Sequence, residues 1–404
     1  MKKPSAELVK QILERNVANA IPRESLEEQL SSGLKLRVKL GVDPTRPDLH
    51  LGHAVVIRAL QMFQELGHKV IFIIGDFTAH IGDPSGRSLV RTALSLAETK
   101  KNAKTYFQQV GKILDVRKAE IRHNSEWLSK LKLEEILRLN AQFTIARILE
   151  RDDFQKRIKS GAEVWMHELQ YPLAQAYDSV AVKADIEIGG SDQLFNFVVA
   201  RHLMERWGMK PQDIITYEIL PGLDGKEKMS KSLGNYIGIT ERPSMMFGKT
   251  MSIPDDMILP YFRLATDRSA AAVGEIENRL KQGENPRDLK LDLATDIVGL
   301  YHGAPAALRA RAEFIKVFSK KELPTVMEGA ELHEGSYEAA ALILALQLAK
   351  SKSEARRLIE QGGVEIIPRQ GLQRRLADPF QLVGVTDGMV LRVGKTRFVR
   401  IRKS

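Results

Sequence analysis

The chain has 404 residues, 43% hydrophobic and 28% charged, with a net charge of +10, which is a soluble globular balance spread over more than one ordinary core. Two or three domains are therefore expected. Cysteine is absent, which excludes disulfides, thiol nucleophiles and Cys-ligated zinc and fits a reducing cytoplasm. The nine histidines include no HExxH pair, so no protein-held metal is indicated. No apolar run reaches about 18 residues, so no membrane span is expected. Met1-Lys2-Lys3-Pro4 leads into an amphipathic stretch that lacks the apolar core of a secretory signal.

Leu34 to Val42 alternates Leu and Val with Lys and Arg and reads as a strand. Asp43-Pro44-Thr45-Arg46-Pro47 breaks it. A helix is predicted from Gly52 to Leu66, with Val55, Ala59, Met62, Phe63 and Leu66 on one stripe and Gly67 as its stop. Lys69 to Gly75 is almost wholly apolar, as a central parallel strand should be. Strand, helix and buried strand open a doubly wound α/β sheet, whose ligands bind at the strands' C-terminal ends. Residues 88–180 read as mostly helical, with an insertion at about 110–165. Ala184–Gly190 and Ile214–Leu220 are later strands, and helices are predicted from Tyr236 to about Ala330. A link at Glu331–Ser336 leads to a basic terminal unit. Residues 335–404 hold 13 Lys and Arg against 6 acids, so +7 of the +10 sits there, which points to a polyanionic partner. The domains drawn from this are 1–222, 223–330 and 337–404.

The motif Asp48-Leu49-His50-Leu51-Gly52-His53 lies where a strand turns into a helix. A helix N-terminus offers free N–H groups and a positive dipole end, which suit phosphate. Two histidines three apart add donors aimed at the same place, and Gly52 lets a flat base approach the backbone. Lys228-Met229-Ser230-Lys231-Ser232 places mobile cations in a Ser- and Gly-rich loop, able to neutralise a leaving pyrophosphate. Tyr171, Gln175 and Asp178 are spaced i, i+4, i+7 and share one helical face. A buried carboxylate there needs a partner. A phenol can be that partner, and a phenyl ring cannot.

The two motifs together resemble the HIGH and KMSKS signatures of class I aminoacyl-tRNA synthetases. Three more stretches narrow the match: Tyr171-Pro-Leu-Ala-Gln175-Ala-Tyr177-Asp178, Gly189-Gly190-Ser191-Asp192-Gln193 and Ile81-Gly82-Asp83-Pro84-Ser85-Gly86. These are similar to the pocket segments of bacterial-type tyrosyl-tRNA synthetases, over essentially the whole chain. The resemblance implies a Rossmann-like catalytic domain with a helical insertion, an α-helical anticodon-side domain and a small α+β S4-like RNA-binding domain. It implies tyrosine, Mg²⁺-bound ATP and tRNA(Tyr) as substrates, and a cytoplasmic homodimer.

By the same resemblance His50, His53, Lys228 and Lys231 carry the chemistry. Asp43, Thr45, Gly52, Gly190 and Asp192 lie at the nucleotide. Asp83, Tyr171 and Gln175 hold the substrate ammonium, Asp178 reads its hydroxyl, and Gln193 lines the pocket. Lys352, Arg356 and Arg357 belong to a capped basic helix, Ser351 to Val364, similar to that of S4 domains. At Lys39 the chain departs from the better-known pattern, in which a tyrosine also touches the substrate hydroxyl; Leu-Arg-Val-Lys39-Leu-Gly41 resembles a second bacterial subgroup. Asp76 is a further acid at a strand end, equally suited to a structural bond or a substrate role. A tryptophanyl-tRNA synthetase, a small-molecule adenylyl- or cytidylyltransferase and a synthetase-like RNA-binding protein without catalysis are the rival readings.

Overall fold

The apolar run Lys69–Ile74 is buried from Val70 onward and forms an inner strand of a six-stranded sheet. A computed structural model of the chain describes residues 3–84, 96–231, 233–319, 323, 327–369, 372–394 and 397–403. Ser85, Gly86 and Ser232 of the motifs above lie outside the described residues. The chain divides into two compact units, Met1–Ala307 and Leu308–Ser404.

The sheet of the first unit contains β1 (Val17–Ile21), β2 (Arg37–Val42), β3 (Lys69–Ile74), β4 (Glu120–His123), β5 (Ile186–Gly190) and β6 (Asp213–Tyr217). Their order is β1-β6-β5-β2-β3-β4, and every neighbouring pair is parallel except β1 with β6. The chain runs outward from β2 to β4 and then returns to the other side of β2. That reversal is the switch point of a doubly wound sheet, where a crevice opens beyond the strand ends. The pairing register locates the opening. β2 and β3 pair from Arg37↔Lys69 to Val42↔Ile74, and β5 pairs with β6 along its length. β2 and β5 pair only at Val38↔Ile186 and Lys39↔Glu187. Past Lys39 and Glu187 the two half-sheets part.

The helix expected from Gly52 forms at Leu51–Glu65 and covers the sheet with Val55, Val56, Ala59, Leu60 and Phe63. Strands β1 and β4 were not expected. β4 lies inside the predicted helical insertion, yet it extends the main sheet. With the sequence Glu-Ile-Arg-His and no fully buried residue, it carries too little alternation to be read. The other regular elements of that insertion are helices: Ser125–Leu128, Leu133–Asn140, Ile145–Leu149 and Asp152–Lys159. Leu139, Ile148 and Phe154 pack there against Leu173, Ala176, Val199 and Leu203 of the helices Tyr171–Val182 and Leu194–Arg206. After β6 come the helices Pro243–Met251, Ile258–Ala265, Ala270–Lys281 and Pro286–His302, all within the first unit.

The second unit holds a sheet ordered β10-β9-β12-β13-β7 and a pair β11-β8. These are β7 (Glu328–Leu332), β8 (Gly335–Glu338), β9 (Val364–Ile367), β10 (Arg374–Arg375), β11 (Leu382–Val385), β12 (Val390–Val393) and β13 (Arg397–Lys403). The predicted link at Glu331–Ser336 is instead the end of β7 and the start of β8. Glu-Gly-Ala-Glu-Leu has no strand-like alternation and is held by backbone pairing to β13, a partner about 70 residues away that local sequence cannot reveal. Helices Ala339–Ala345 and Lys352–Glu360 close the core with Leu342, Ile343, Ala355 and Ile359. Ser351 caps the second helix, its Oγ accepting from Glu354 N at 3.2 Å, and Gly362 leaves it with a positive φ of 66°. This is the small α+β unit that the resemblance implied.

Candidate active site

A cavity of about 780 Å³ opens at the switch point. It is lined by Asp43, Thr45, His50, Gly52, His53, Asp83, Tyr171, Gln175, Asp178, Gly190, Asp192, Gln193, Lys228 and Lys231. Every residue expected at the catalytic, nucleotide and amino-acid sites thus reaches one cavity.

His50 has extended backbone and stands at the N-cap of the Leu51–Glu65 helix. Its N–H donates to His53 Nδ1 at 3.3 Å, which leaves Nε2 of His53 as the protonated nitrogen. Burial, then the neighbouring lysines, pushes the His50 imidazole down to about 3. Burial also holds His53 well below its ordinary range. Both rings are therefore neutral donors at physiological pH. His50 Nδ1 is buried with no hydrogen-bond partner among the described residues. A Cβ on Gly52 would lie 3.1 Å from the His50 ring, a tight contact that would press on that side chain.

Backbone pairing brings the second motif to the first. Leu51 N donates to Ile237 O and Ile239 N to Leu49 O, both at 3.0 Å, while Met229 N donates to Leu220 O at 3.1 Å. The loop carrying Lys228 and Lys231 is held across the helix start by these bonds. Lys228 Nζ lies 2.8 Å from Asp192 Oδ2. Lys231 Nζ donates to Tyr106 Oη at 2.7 Å and to Arg46 O at 3.2 Å. Burial brings the Lys231 ammonium down to about 7. An arriving polyphosphate would supply the anionic partner that burial denies it.

On the other side, the pocket helix Tyr171–Val182 presents its predicted polar face. Tyr171 Oη donates to Asp43 Oδ2 at 3.1 Å, and Thr78 Oγ1 to Asp43 Oδ1 at 2.7 Å. Asp43, expected beside the nucleotide, is thus bonded directly to Tyr171, expected at the substrate ammonium. A Cβ on Gly75 would fall 2.0 Å from Asp43 Oδ1, so only glycine fits beneath it. Gln175 Oε1 accepts from Asn196 Nδ2 at 2.8 Å. Asp83 accepts from Arg151 and from Gln193 Nε2, each at 2.8 Å. Asp178 accepts from Trp127 Nε1 at 2.8 Å and Asn124 Nδ2 at 3.3 Å. Burial raises the carboxyls of both Asp43 and Asp178 to about 7.

Asp76 lies outside the cavity lining. It accepts from Ser125 N and Oγ at 3.0 and 2.8 Å and meets His123 Nδ1 at 3.0 Å, tying β3 to the turn after β4. Of its two expected roles, these bonds fit the structural one. Sequence reasoning missed Thr78, Tyr106, Asn124, Trp127, Arg151 and Asn196. Had β4 been recognised, Asn124 at its end would have been a candidate; nothing in the sequence signals the others.

The family model described as tRNA synthetases class I (W and Y) matches residues 31–319. The chain belongs to that family. It is 49% identical over 391 residues to a tyrosine–tRNA ligase of Thermotoga maritima, covering 96% of each chain. It is 48% identical over 395 residues to one of Moorella thermoacetica, covering 96% of this chain and 94% of that protein. Within the family the chain accordingly falls among the tyrosine–tRNA ligases. The fold matches a C-terminally truncated mitochondrial tyrosyl-tRNA synthetase of Aspergillus nidulans, with TM-score 0.64 at 22% identity over 79% of this chain and 95% of that one. It also matches an Archaeoglobus fulgidus tyrosyl-tRNA synthetase complexed with L-tyrosine, with TM-score 0.61 at 22% identity over 76% and 99%.

Proposed function

We propose that this tyrosine–tRNA ligase works through the residues gathered in the switch-point cavity, in two steps. The carboxylate of tyrosine attacks the α-phosphorus of Mg²⁺-bound ATP, giving tyrosyl adenylate and releasing pyrophosphate. A hydroxyl of the tRNA 3′-terminal ribose then attacks the acyl carbon, and AMP leaves. The first nucleophile is already charged, so the protein supplies position and charge stabilisation rather than a base. His50 and His53 donate as neutral groups to the phosphates at the helix N-terminus. Lys228 and Lys231 close on the β- and γ-phosphates as pyrophosphate departs. Gly52, Thr45, Gly190 and Asp192 bound the nucleotide. Asp83, Tyr171, Gln175 and Gln193 form the ammonium end, with Asp43 behind them, and Asp178 accepts the phenol.

The observation that carries this reading is the meeting of both signature motifs and the pocket helix in one cavity. Tyrosine-dependent ATP–pyrophosphate exchange tests it. His50→Ala and Lys231→Ala are each expected to lower kcat by about 10²-fold or more, as loss of a transition-state donor does. Exchange at the parent rate in both variants would refute the assignment.

The magnesium ion comes with the nucleotide. In this reading residues 1–222 form the catalytic part, 223–330 the anticodon-side helices and 337–404 the S4-like part, where Lys352, Arg356 and Arg357 meet tRNA(Tyr). The enzyme acts in the cytoplasm as a homodimer. Two features support the tRNA and homodimer readings: the basic excess of the terminal unit, and the exposed apolar residues Leu133, Leu137 and Ile145 of the inserted helices, with Trp165 and Met166 in the segment after them. No helix among the described residues is long and apolar enough to cross a membrane.

A further inference from the structure

At the floor of the cavity, where β2 and β5 part, lies a buried ion pair. Lys39 and Glu187 are register partners, and both are 0% exposed. Lys39 Nζ lies 2.8 Å from Glu187 Oε1 and donates to Ser179 Oγ at 2.6 Å. Ser179 Oγ donates in turn to Glu187 Oε2 at 3.2 Å, and Gln212 Nε2 donates to the same oxygen. Ser179 is the residue after Asp178 on the pocket helix.

A buried pair of this kind is a poor stabiliser, because desolvation offsets most of its attraction and an apolar pair would serve packing as well. Its position says more. Lys39 lines the same cavity as Asp178 and is the strongest influence opposing the effect of burial on that carboxyl; Glu187 acts more weakly the other way. Among the described residues, Asp43 past the end of β2 and the neutral donors Asn124 and Trp127 past β4 also face Asp178. Lys39 is thus the cation set against a carboxylate that must accept a hydrogen bond.

We propose that Lys39 is a positioning residue for amino-acid selection: with Glu187 it holds Ser179 and the helical turn that carries Asp178, and its charge keeps Asp178 an acceptor toward the substrate phenol. The inference rests on the reading of Asp178 as the group that meets that phenol.

The test compares the full-length parent chain with Lys39→Met and with the double variant Lys39→Met, Glu187→Met, which removes the pair without leaving a lone buried charge. Pyrophosphate exchange is measured with tyrosine and with phenylalanine across pH. Expected in whichever variant folds is a rise of about tenfold in KM for tyrosine, with kcat within about threefold, and a fall of about tenfold in preference for tyrosine over phenylalanine. The acid limb of kcat/KM for tyrosine moves to higher pH, since Asp178 loses its cation. A purely structural role would lower the active fraction without moving that limb. Unchanged KM, selectivity and acid limb in the double variant overturn the inference. Asp178→Asn separates the two readings. If it admits phenylalanine while the Lys39 variants do not, the inference alone fails; if it still rejects phenylalanine, the reading of Asp178 fails and the inference with it.

Discussion

Asp178 is a carboxyl placed where the folded chain disfavours its charge. Burial raises it to about 7, against an ordinary 3.8. The native state therefore holds a proton there that the unfolded chain has lost. By linkage, stability from this group declines as pH rises from about 4 to 7, and the full cost is present above 7. Asp178→Asn keeps the acceptor for Trp127 Nε1 but never ionises. The variant should gain thermal stability relative to the parent at pH 8, by the equivalent of roughly 1–4 kcal/mol, and gain much less at pH 5. Melting both chains at the two pH values without tyrosine checks this, and an equal difference at both would refute it. The sequence made Asp178 legible because i, i+4, i+7 spacing put it on one face with Tyr171 and Gln175. Its partners were not legible. Asn124 and Trp127 sit about 50 residues away, at the cap and within the short helix Ser125–Leu128 after β4, and nothing local ties them to a carboxylate on another helix.

Elements with strong apolar periods were readable and weakly patterned ones were not. β3 is nearly all Val, Ile and Phe, and the Leu51–Glu65 helix carries a continuous buried stripe, so both lie within a residue or two of expectation. β1, β4 and β7 form because a neighbour offers unpaired backbone groups, which no local pattern records. The inserted helices pose the opposite question, since they carry more apolar surface than the chain covers. In the helix Leu133–Asn140, Leu139 is buried while Leu133 and Leu137, one turn apart, are 71% and 58% exposed. One face serves the core, and the other is offered outward. If that outward face joins two copies about a two-fold axis, each substitution acts twice. Leu137→Glu should then weaken self-association by roughly 10²–10³-fold, given about 2 kcal/mol per buried leucine. Sedimentation velocity at micromolar concentration should find a dimer for the parent and a monomer for the variant. A monomeric parent would sink the reading.

At the scale of the whole molecule, charge is unevenly divided along the chain. The signature motifs and the helix Tyr171–Val182 all lie in the first unit, whereas residues 335–404 hold +7 of the net +10. That asymmetry was legible from composition alone, because charge needs no tertiary contact to be counted. Which cations meet the nucleic acid depends on the surface. Lys352 and Arg357 are exposed on the capped helix, and Arg356 stacks 4.7 Å from the centre of the half-exposed Phe380 ring. A planar guanidinium held on an aromatic ring suits a structured RNA backbone better than a lone mobile lysine does. Each phosphate bound by a cation releases condensed counterions, so tRNA binding should weaken linearly with the logarithm of salt. Replacing Arg356 and Arg357 by Glu in the full chain should raise the KM for tRNA by about tenfold or more and flatten the salt slope by about one for each phosphate no longer neutralised. Tyrosine-dependent pyrophosphate exchange, which needs no tRNA, should stay within about twofold, since neither residue lines the cavity. A variant that lost exchange and charging together would place these arginines in the stability of the chain, and one that kept its tRNA KM and salt slope would remove them from the RNA surface.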